Sequence, residues 1–296
     1  MLGAMVGSHS QCICVPESQF IDHLLARKDF DPAAIQPARV LGLIEADPRY
    51  RLLWRAALDP TSLDPSELGS TFSQVLSSLV RAFGRRLQKP SATVWVDHTP
   101  TNFKRGLTML RLFPEVRFIH LVRDGRAVAA SLLPLDWGPN NVMHAAEFWM
   151  ARCAAGLSAE LQLTDRVLRI RYEDLVTDPE AILRRISDFA GLEYEPAMAQ
   201  AGGHQPSRYN ERQHRLVGHA PDFSRVHSWQ DSLTQREIEI FEAEAGEFLE
   251  TLGYRSRYGI RARPAAPTEV FRMRVGDLAR RATNNVRRHW RAFSAR

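Results

Sequence analysis

Arg123 and Ser131 are the first residues whose types and spacing suggest chemistry. They lie in Phe118-Ile-His-Leu-Val-Arg-Asp-Gly-Arg-Ala-Val-Ala-Ala-Ser131, where an apolar run ends at Val122, a polar turn follows and a helical pattern succeeds it. Ligands of open α/β sheets bind beyond the carboxyl ends of the strands. A guanidinium placed there suits a phosphate dianion. Ser131 comes eight residues later, about two helical turns on, within range of the same anion if the loop folds back. The residues also leave a plainer reading open, in which Arg123 pairs with Asp124 or another acid and Ser131 merely fills a helix.

The elements that must position this turn can be read from the hydrophobic pattern. Ala92–Val96, Arg117–Val122 and Arg166–Arg171 are β-type runs, each followed by polar residues and then a helical period. That alternation predicts a parallel α/β sheet. Helices are predicted near Ser66–Leu87, Val142–Leu163, Pro179–Ala190 and Thr234–Leu252. Asp178-Pro179-Glu180 is a good helix start, and Gly253 is a suitable stop. His204 to His227 has neither period and reads as a long loop of the kind that forms lids or binding loops. No internal repeat or low-complexity tract is evident.

Composition narrows the function classes. The chain has 296 residues, 44% hydrophobic and 25% charged, which excludes collagenous, disordered and disulfide-scaffold classes. No apolar run approaches the ~18 to 20 residues of a membrane span, and Met1 to Ser10 lacks the pattern of a signal peptide. Cys12, Cys14 and Cys153 have no metal-ligand spacing, and Cys12-Ile13-Cys14 is too tight for an ordinary disulfide, so a reducing cytoplasm is expected. The net charge of +5 divides unevenly. Residues 255–296 hold twelve Arg against Glu269 and Asp277, a net of +10, which leaves the first 254 residues at −5. With so little basic charge on the folded body, a specific nucleic-acid partner is not expected.

The turn resembles the 3′-phosphate-binding motif of the sulfotransferases that use 3′-phosphoadenosine 5′-phosphosulfate (PAPS). The form Val-Arg-Asp-Gly-Arg-Ala is especially similar to bacterial and protein-tyrosine sulfotransferases. Two further stretches extend the resemblance. Arg171-Tyr-Glu-Asp-Leu-Val-Thr-Asp-Pro179 leads into Ile182–Phe189, and Ser228-Trp229 with Leu233 precedes the closing Leu252-Gly-Tyr254. The resemblance implies a P-loop-NTPase-like parallel sheet flanked by helices, PAPS as co-substrate, a hydroxyl-bearing acceptor and no metal. Arg123 and Ser131 would hold the 3′-phosphate, with Tyr172 nearby. Glu17, in Val15-Pro-Glu-Ser18, falls where tyrosine-sulfotransferase-like members carry a catalytic glutamate; the alternative is an acid favoured near a helix start. His98, in Val96-Asp-His-Thr-Pro100, occupies a position where relatives have a lysine or, close by, a catalytic histidine. It is a candidate for stabilising the leaving group or for acting as base. Ser207 and His219 lie in the loop that would close over nucleotide.

One expected part is missing. The family opens with a strand and a phosphate loop, and Leu2-Gly-Ala-Met-Val-Gly-Ser-His9 is similar to the helix that follows that loop. Residues 1–258 are therefore expected to form the sulfotransferase domain without its first strand and phosphate loop. The reading adopted is that the true start lies upstream, and the chain from Met1 is expected to be inactive or poorly soluble. The alternatives are a catalytically inactive homologue acting as a binding protein, and a membrane-surface module. Residues 259–296 read as a basic linker and an amphipathic helix, with Phe271, Val275, Leu278, Ala282, Val286, Trp290 and Phe293 on one stripe. Segment 264–296 suits either an anionic membrane surface or docking on the body or a second copy, and docking is the expectation because Gly276 and Ala282 thin the apolar face.

Overall fold

The computed structural model describes residues 1–55, 57–59, 63–204, 218–219 and 221–294. In chain order the elements are α1 (Leu2–Gly7), β1 (Cys12–Val15), α2 (Gln19–Leu25), α3 (Pro37–Ala46), α4 (Pro48–Leu53), α5 (Phe72–Arg86), β2 (Val94–Asp97), α6 (Gly106–Leu112), β3 (Phe118–Val122) and α7 (Gly125–Leu132). They continue with α8 (Val142–Gln162), β4 (Val167–Arg171), α9 (Tyr172–Thr177), α10 (Pro179–Ala190), α11 (Trp229–Ser232), α12 (Gln235–Thr251) and α13 (Pro267–Ser294). The α/β class expected from the sequence holds. The strands form two two-stranded sheets, β1–β2 and β3–β4. The chain gathers into two compact units, one built from Met1–Phe118 with Pro179–Pro221, the other from Ile119–Asp178 with Asp222–Ser294.

In the first unit, β1 and β2 are parallel, with Cys12 opposite Val94 and Val15 opposite Asp97. Strand β1 was not anticipated from the sequence. Its four residues are all buried, so it is continuously apolar and shows no alternation to mark it as a strand. The Lys89 ammonium donates to the carbonyls of Gly7, His9 and Cys12 at 2.6, 2.9 and 3.0 Å, tying the end of α1 to the start of β1. Helix α5 begins later than the predicted Ser66. Gly69 has φ +66°, and a capping box between Thr71 and Gln74 starts the helix at Phe72. Its stripe of Val75, Leu76, Leu79 and Phe83 is buried as expected. Phe20, Tyr50 and Trp54 form an aromatic cluster beside it, with ring centroids 5.4 to 5.9 Å apart. The Gly203 N–H donates to the Ala4 carbonyl at 3.1 Å. A side chain at Gly203 would collide with the Gly7 backbone, so Gly203 serves close packing, whereas Gly202 beside it has open space.

The second unit packs α7, α8 and α12 around Val122, Ala127, Trp149, Phe241 and Leu249. Helix α12 opens with a capping box between Thr234 and Glu237, and Gly253 follows it at φ +80°, the stop the sequence predicts. Helix α13 occupies the predicted segment, but the face that meets this unit is the polar one, so the apolar stripe does not dock on the body, the first of the two docking partners expected. Its polar side meets this unit: Asp277 and Asn284 are buried, and both hydrogen-bond Asn140. The apolar stripe is exposed, with Phe271 at 69% and Leu278 at 68%. Amphipathic spacing identifies the two faces of a helix without deciding which one has a partner.

Candidate functional site

Strand β3 ends at Val122, and Asp124 caps α7 by accepting from the Arg126 N–H at 2.9 Å. The two arginines of this turn have different fates. Arg126 is 4% exposed. It makes a bidentate pair with Asp124 at 3.0 and 2.7 Å, donates to Glu242 at 2.5 Å and stacks 4.1 Å over the Trp229 ring. So Asp124 does pair with an arginine, but with Arg126 rather than the Arg123 of the plainer sequence reading. Gly125 allows the turn to pack closely, because a Cβ there would lie 2.6 Å from Trp149 and 2.7 Å from Phe241.

Arg123 is only partly buried. Its Nη2 donates to the Arg225 carbonyl at 3.0 Å, and its guanidinium sits 4.2 Å over the Tyr172 ring. Its own carbonyl accepts from Trp149 Nε1 at 3.1 Å. Among the described residues its buried Nε has no hydrogen-bond partner. Burial is the largest influence on this group and pushes its pKa below the ordinary arginine value; Tyr172 and Glu173 oppose that shift, and the positive charge of Arg225 adds to it. A buried donor without a partner and a second cation nearby make the site receptive to an anion.

The three family-like stretches converge here. The Glu173 carboxylate accepts from the Asp124 N–H at 3.1 Å and from the Tyr254 hydroxyl at 2.9 Å. Burial, reinforced by Glu173, pushes the Tyr254 hydroxyl well above its ordinary pKa, so it stays a donor. Tyr172 opens α9, directly after β4. Ser131 is exposed on the last turn of α7, in the same unit. Sequence reasoning missed Arg126, Glu173 and Arg225 as parts of this arrangement. Arg126 had a signal, because it stands two residues after the capping Asp124, where its side chain can fold back onto the cap.

Glu17 and His98 lie in the first unit. The parallel register sets Val15 opposite Asp97, so Glu17 and His98 follow the same end of the sheet. Glu17 is half-buried just before α2. Its carboxylate accepts from Gln19 Nε2 at 2.5 Å, and its carbonyl accepts from Trp54 Nε1 at 3.1 Å. His98 is exposed, with Nδ1 3.8 Å from Cys14 Sγ and its ring 4.8 Å from that of His204. Thr99 joins the two turns. Its hydroxyl accepts from the Ser18 N–H at 2.7 Å and donates to Asp97 at 2.5 Å. Burial raises the Asp97 pKa above the ordinary carboxylate value despite hydrogen bonds from Thr99, Asn102 and Ser18. Ser207 lies outside the described residues, and His219 is exposed.

Comparisons with known proteins agree with the motifs. A family model described as the sulfotransferase family matches residues 1–196. The chain is 24% identical over 219 residues to protein-tyrosine sulfotransferase 1 of Danio rerio, covering 69% of this chain and 54% of that protein. It is 33% identical over 188 residues to carbohydrate sulfotransferase 2 of Mus musculus, covering 47% of this chain and 35% of that protein. The chain therefore spans about half, or less, of the length of these relatives. Among solved structures, the sulfotransferase domain of the Synechococcus olefin synthase superposes with a TM-score of 0.56 at 20% identity, covering 86% of this chain and 89% of that domain.

Proposed function

Because this chain belongs to the sulfotransferase family, we propose that it transfers a sulfuryl group from PAPS to an acceptor hydroxyl. The observation that carries this reading is the partly buried Arg123 guanidinium at the end of β3, whose Nε lacks a partner among the described residues. In the proposed role it grips the 3′-phosphate of the donor nucleotide, with Tyr172 against it and Ser131 adding a hydroxyl. Arg126, Asp124, Glu173 and Tyr254 hold the turn in place from behind.

The family resemblance assigns the proton transfer and leaving-group chemistry to Glu17 and His98. The acceptor oxygen attacks sulfur and an O–S bond forms, while the bond between sulfur and the bridging oxygen of the donor breaks. Glu17 takes the acceptor proton as general base. His98, as imidazolium, stabilises the charge that gathers on the departing 5′-phosphate. The products are a sulfate ester and adenosine 3′,5′-bisphosphate. Tyrosine and carbohydrate, the acceptors named for the two relatives, share a hydroxyl nucleophile, and that is the acceptor class proposed here.

Calorimetry with adenosine 3′,5′-bisphosphate and with adenosine 5′-monophosphate tests the reading. Arg123→Ala is expected to weaken the bisphosphate about 10²-fold, the effect of losing charge-assisted hydrogen bonds. It should leave the monophosphate nearly unchanged, because that ligand lacks the gripped group. Equal bisphosphate affinity in the wild type and the variant overturns the assignment.

A further inference from the structure

Helix α13 is attached to the second unit by its polar side. Glu269 pairs with Arg236 at 2.7 Å, and Asp277 and Asn284 hydrogen-bond the Asn140 side chain at 2.6 and 3.0 Å. Arg280 donates to the Asn140 carbonyl at 2.7 Å, and Met273 packs against the core. At about 100° per residue, Phe271, Val275, Leu278, Val286 and Phe293 fall on the opposite side. These five, with Trp290, are each 51 to 75% exposed. They make up six of the twelve large apolar side chains exposed among the described residues, so the exposure is concentrated on one helix rather than scattered.

Charge indicates what covers this stripe. Arg272 borders it on one flank and Arg274 on the other, and both are exposed, whereas Arg281 lies further round and pairs with Asp277 at 2.7 Å. Residues 255–296 carry a net +10. A second copy of the helix would set arginine against arginine. A nucleic acid would meet the arginines and leave the phenylalanines in water. An anionic lipid surface satisfies both, with phosphates at the rim and acyl chains under the stripe. Among the described residues no helix is long and apolar enough to cross a membrane, so the contact would run along the surface. We propose that α13 is a preformed docking surface for an anionic bilayer, presented outward by its polar attachment to Asn140 and Arg236.

Flotation of the full chain with two vesicle compositions tests this. Vesicles of phosphatidylcholine with about one-third phosphatidylglycerol should carry the protein up, and pure phosphatidylcholine should carry about ten-fold less. Replacing the stripe with Phe271→Ser, Leu278→Ser and Val286→Ser should cut binding to the anionic vesicles about ten-fold or more. Arg272→Ser and Arg274→Ser should each weaken it about five-fold and flatten its salt dependence. All five side chains are exposed, and an unchanged urea midpoint would show that each variant is folded. The proposal is overturned if the wild type does not float, or if the stripe variant floats as well as the wild type. It is equally overturned if light scattering finds a dimer that the stripe variant dissolves, since the occupant is then a second copy. Binding of a labelled single-stranded RNA that survives the stripe variant, with no flotation, would also overturn it.

Discussion

At the end of β3 the backbone is held by charge, whereas at the ends of β1 and β2 it is held by hydrogen bonds centred on Thr99. Arg126 satisfies Asp124 and Glu242 together in a buried setting. Thr99 links Ser18 to Asp97 through a single hydroxyl. A buried ion cluster fails as a whole, because removing one member strands the others without water. A hydroxyl bridge fails by degrees. Candidate chemistry therefore stands on a rigid frame in one unit and on a more forgiving one in the other.

The sharpest test compares the two arginines of one turn. Arg126→Leu should destabilise the protein by about 3–5 kcal/mol, since Asp124 and Glu242 are left buried without a counter-charge, Glu242 keeping only its backbone donors from Arg257 and Tyr258. Arg123→Ala should cost about 1 kcal/mol, the scale of one hydrogen bond and an aromatic contact. Urea denaturation measures both. Similar losses for the two would mean that Arg123 is also part of the frame, and its reading as a ligand-binding group would weaken. Next comes Gly125→Ala, whose new methyl meets Trp149 and Phe241 at 2.6 and 2.7 Å. Its expected cost is about 1–3 kcal/mol, and an unaltered midpoint would show that the turn has slack.

The same contrast explains what could be read from the sequence. The turn from Phe118 to Ser131 is contiguous, so its strand, cap and helix are visible as one pattern. Helix α10 matches its predicted span, Pro179–Ala190, because Pro179 supplies a sharp start signal. The partners of Arg126 were not legible, since Glu242 lies 116 residues away and nothing local announces it. Strand β1 was hidden by its brevity and complete burial. The docking face of α13 was misjudged because Asn140, more than a hundred residues earlier in the chain, selects the polar side. Glu17 and His98 could be nominated singly. Only the register of β1 on β2 brings their turns to one sheet end.

In the Thr99-centred frame, Thr99→Val should cost about 1–2 kcal/mol at neutral pH by removing both bonds of the bridge. The sign of its pH dependence follows from Asp97. Its folded pKa lies above the ordinary carboxylate value, so the fold disfavours the ionised form, and that penalty acts in full only above the folded pKa. Losing the Thr99 hydroxyl donor, while its backbone N–H stays on Asp97 at 2.9 Å, raises the pKa further and enlarges the penalty. The deficit of the variant should therefore shrink as the pH falls through the raised value and Asp97 protonates in both proteins. A deficit that grows in acid would show that Asp97 is ionised by preference in the fold.

The smallest effect concerns the thiols, two near the Thr99-centred frame and one in the core of the second unit. Burial pushes Cys12 up to about 11 and Cys14 and Cys153 up to about 12, and all three are buried. Alkylation proceeds through the thiolate, so at about pH 8 each native thiol should react at least ~10²-fold more slowly than in urea. Among the influences on Cys12, burial comes first and the Lys89 charge opposes it. Lys89→Met removes that opposition and should slow Cys12 further, unless loss of the three carbonyl contacts opens the junction of α1 and β1 and exposes the thiol. Mass-resolved labelling separates the two results. Faster labelling confined to Cys12 and Cys14 would show that Lys89 acts mainly as a clamp, and slower labelling of Cys12, with Cys14 slowed alongside it, that it acts mainly as a charge, since the Lys89 charge opposes the shift of both thiols. Cys153 should be indifferent in either case, and a change there would mean that the effect of Lys89→Met is not local to the junction of α1 and β1.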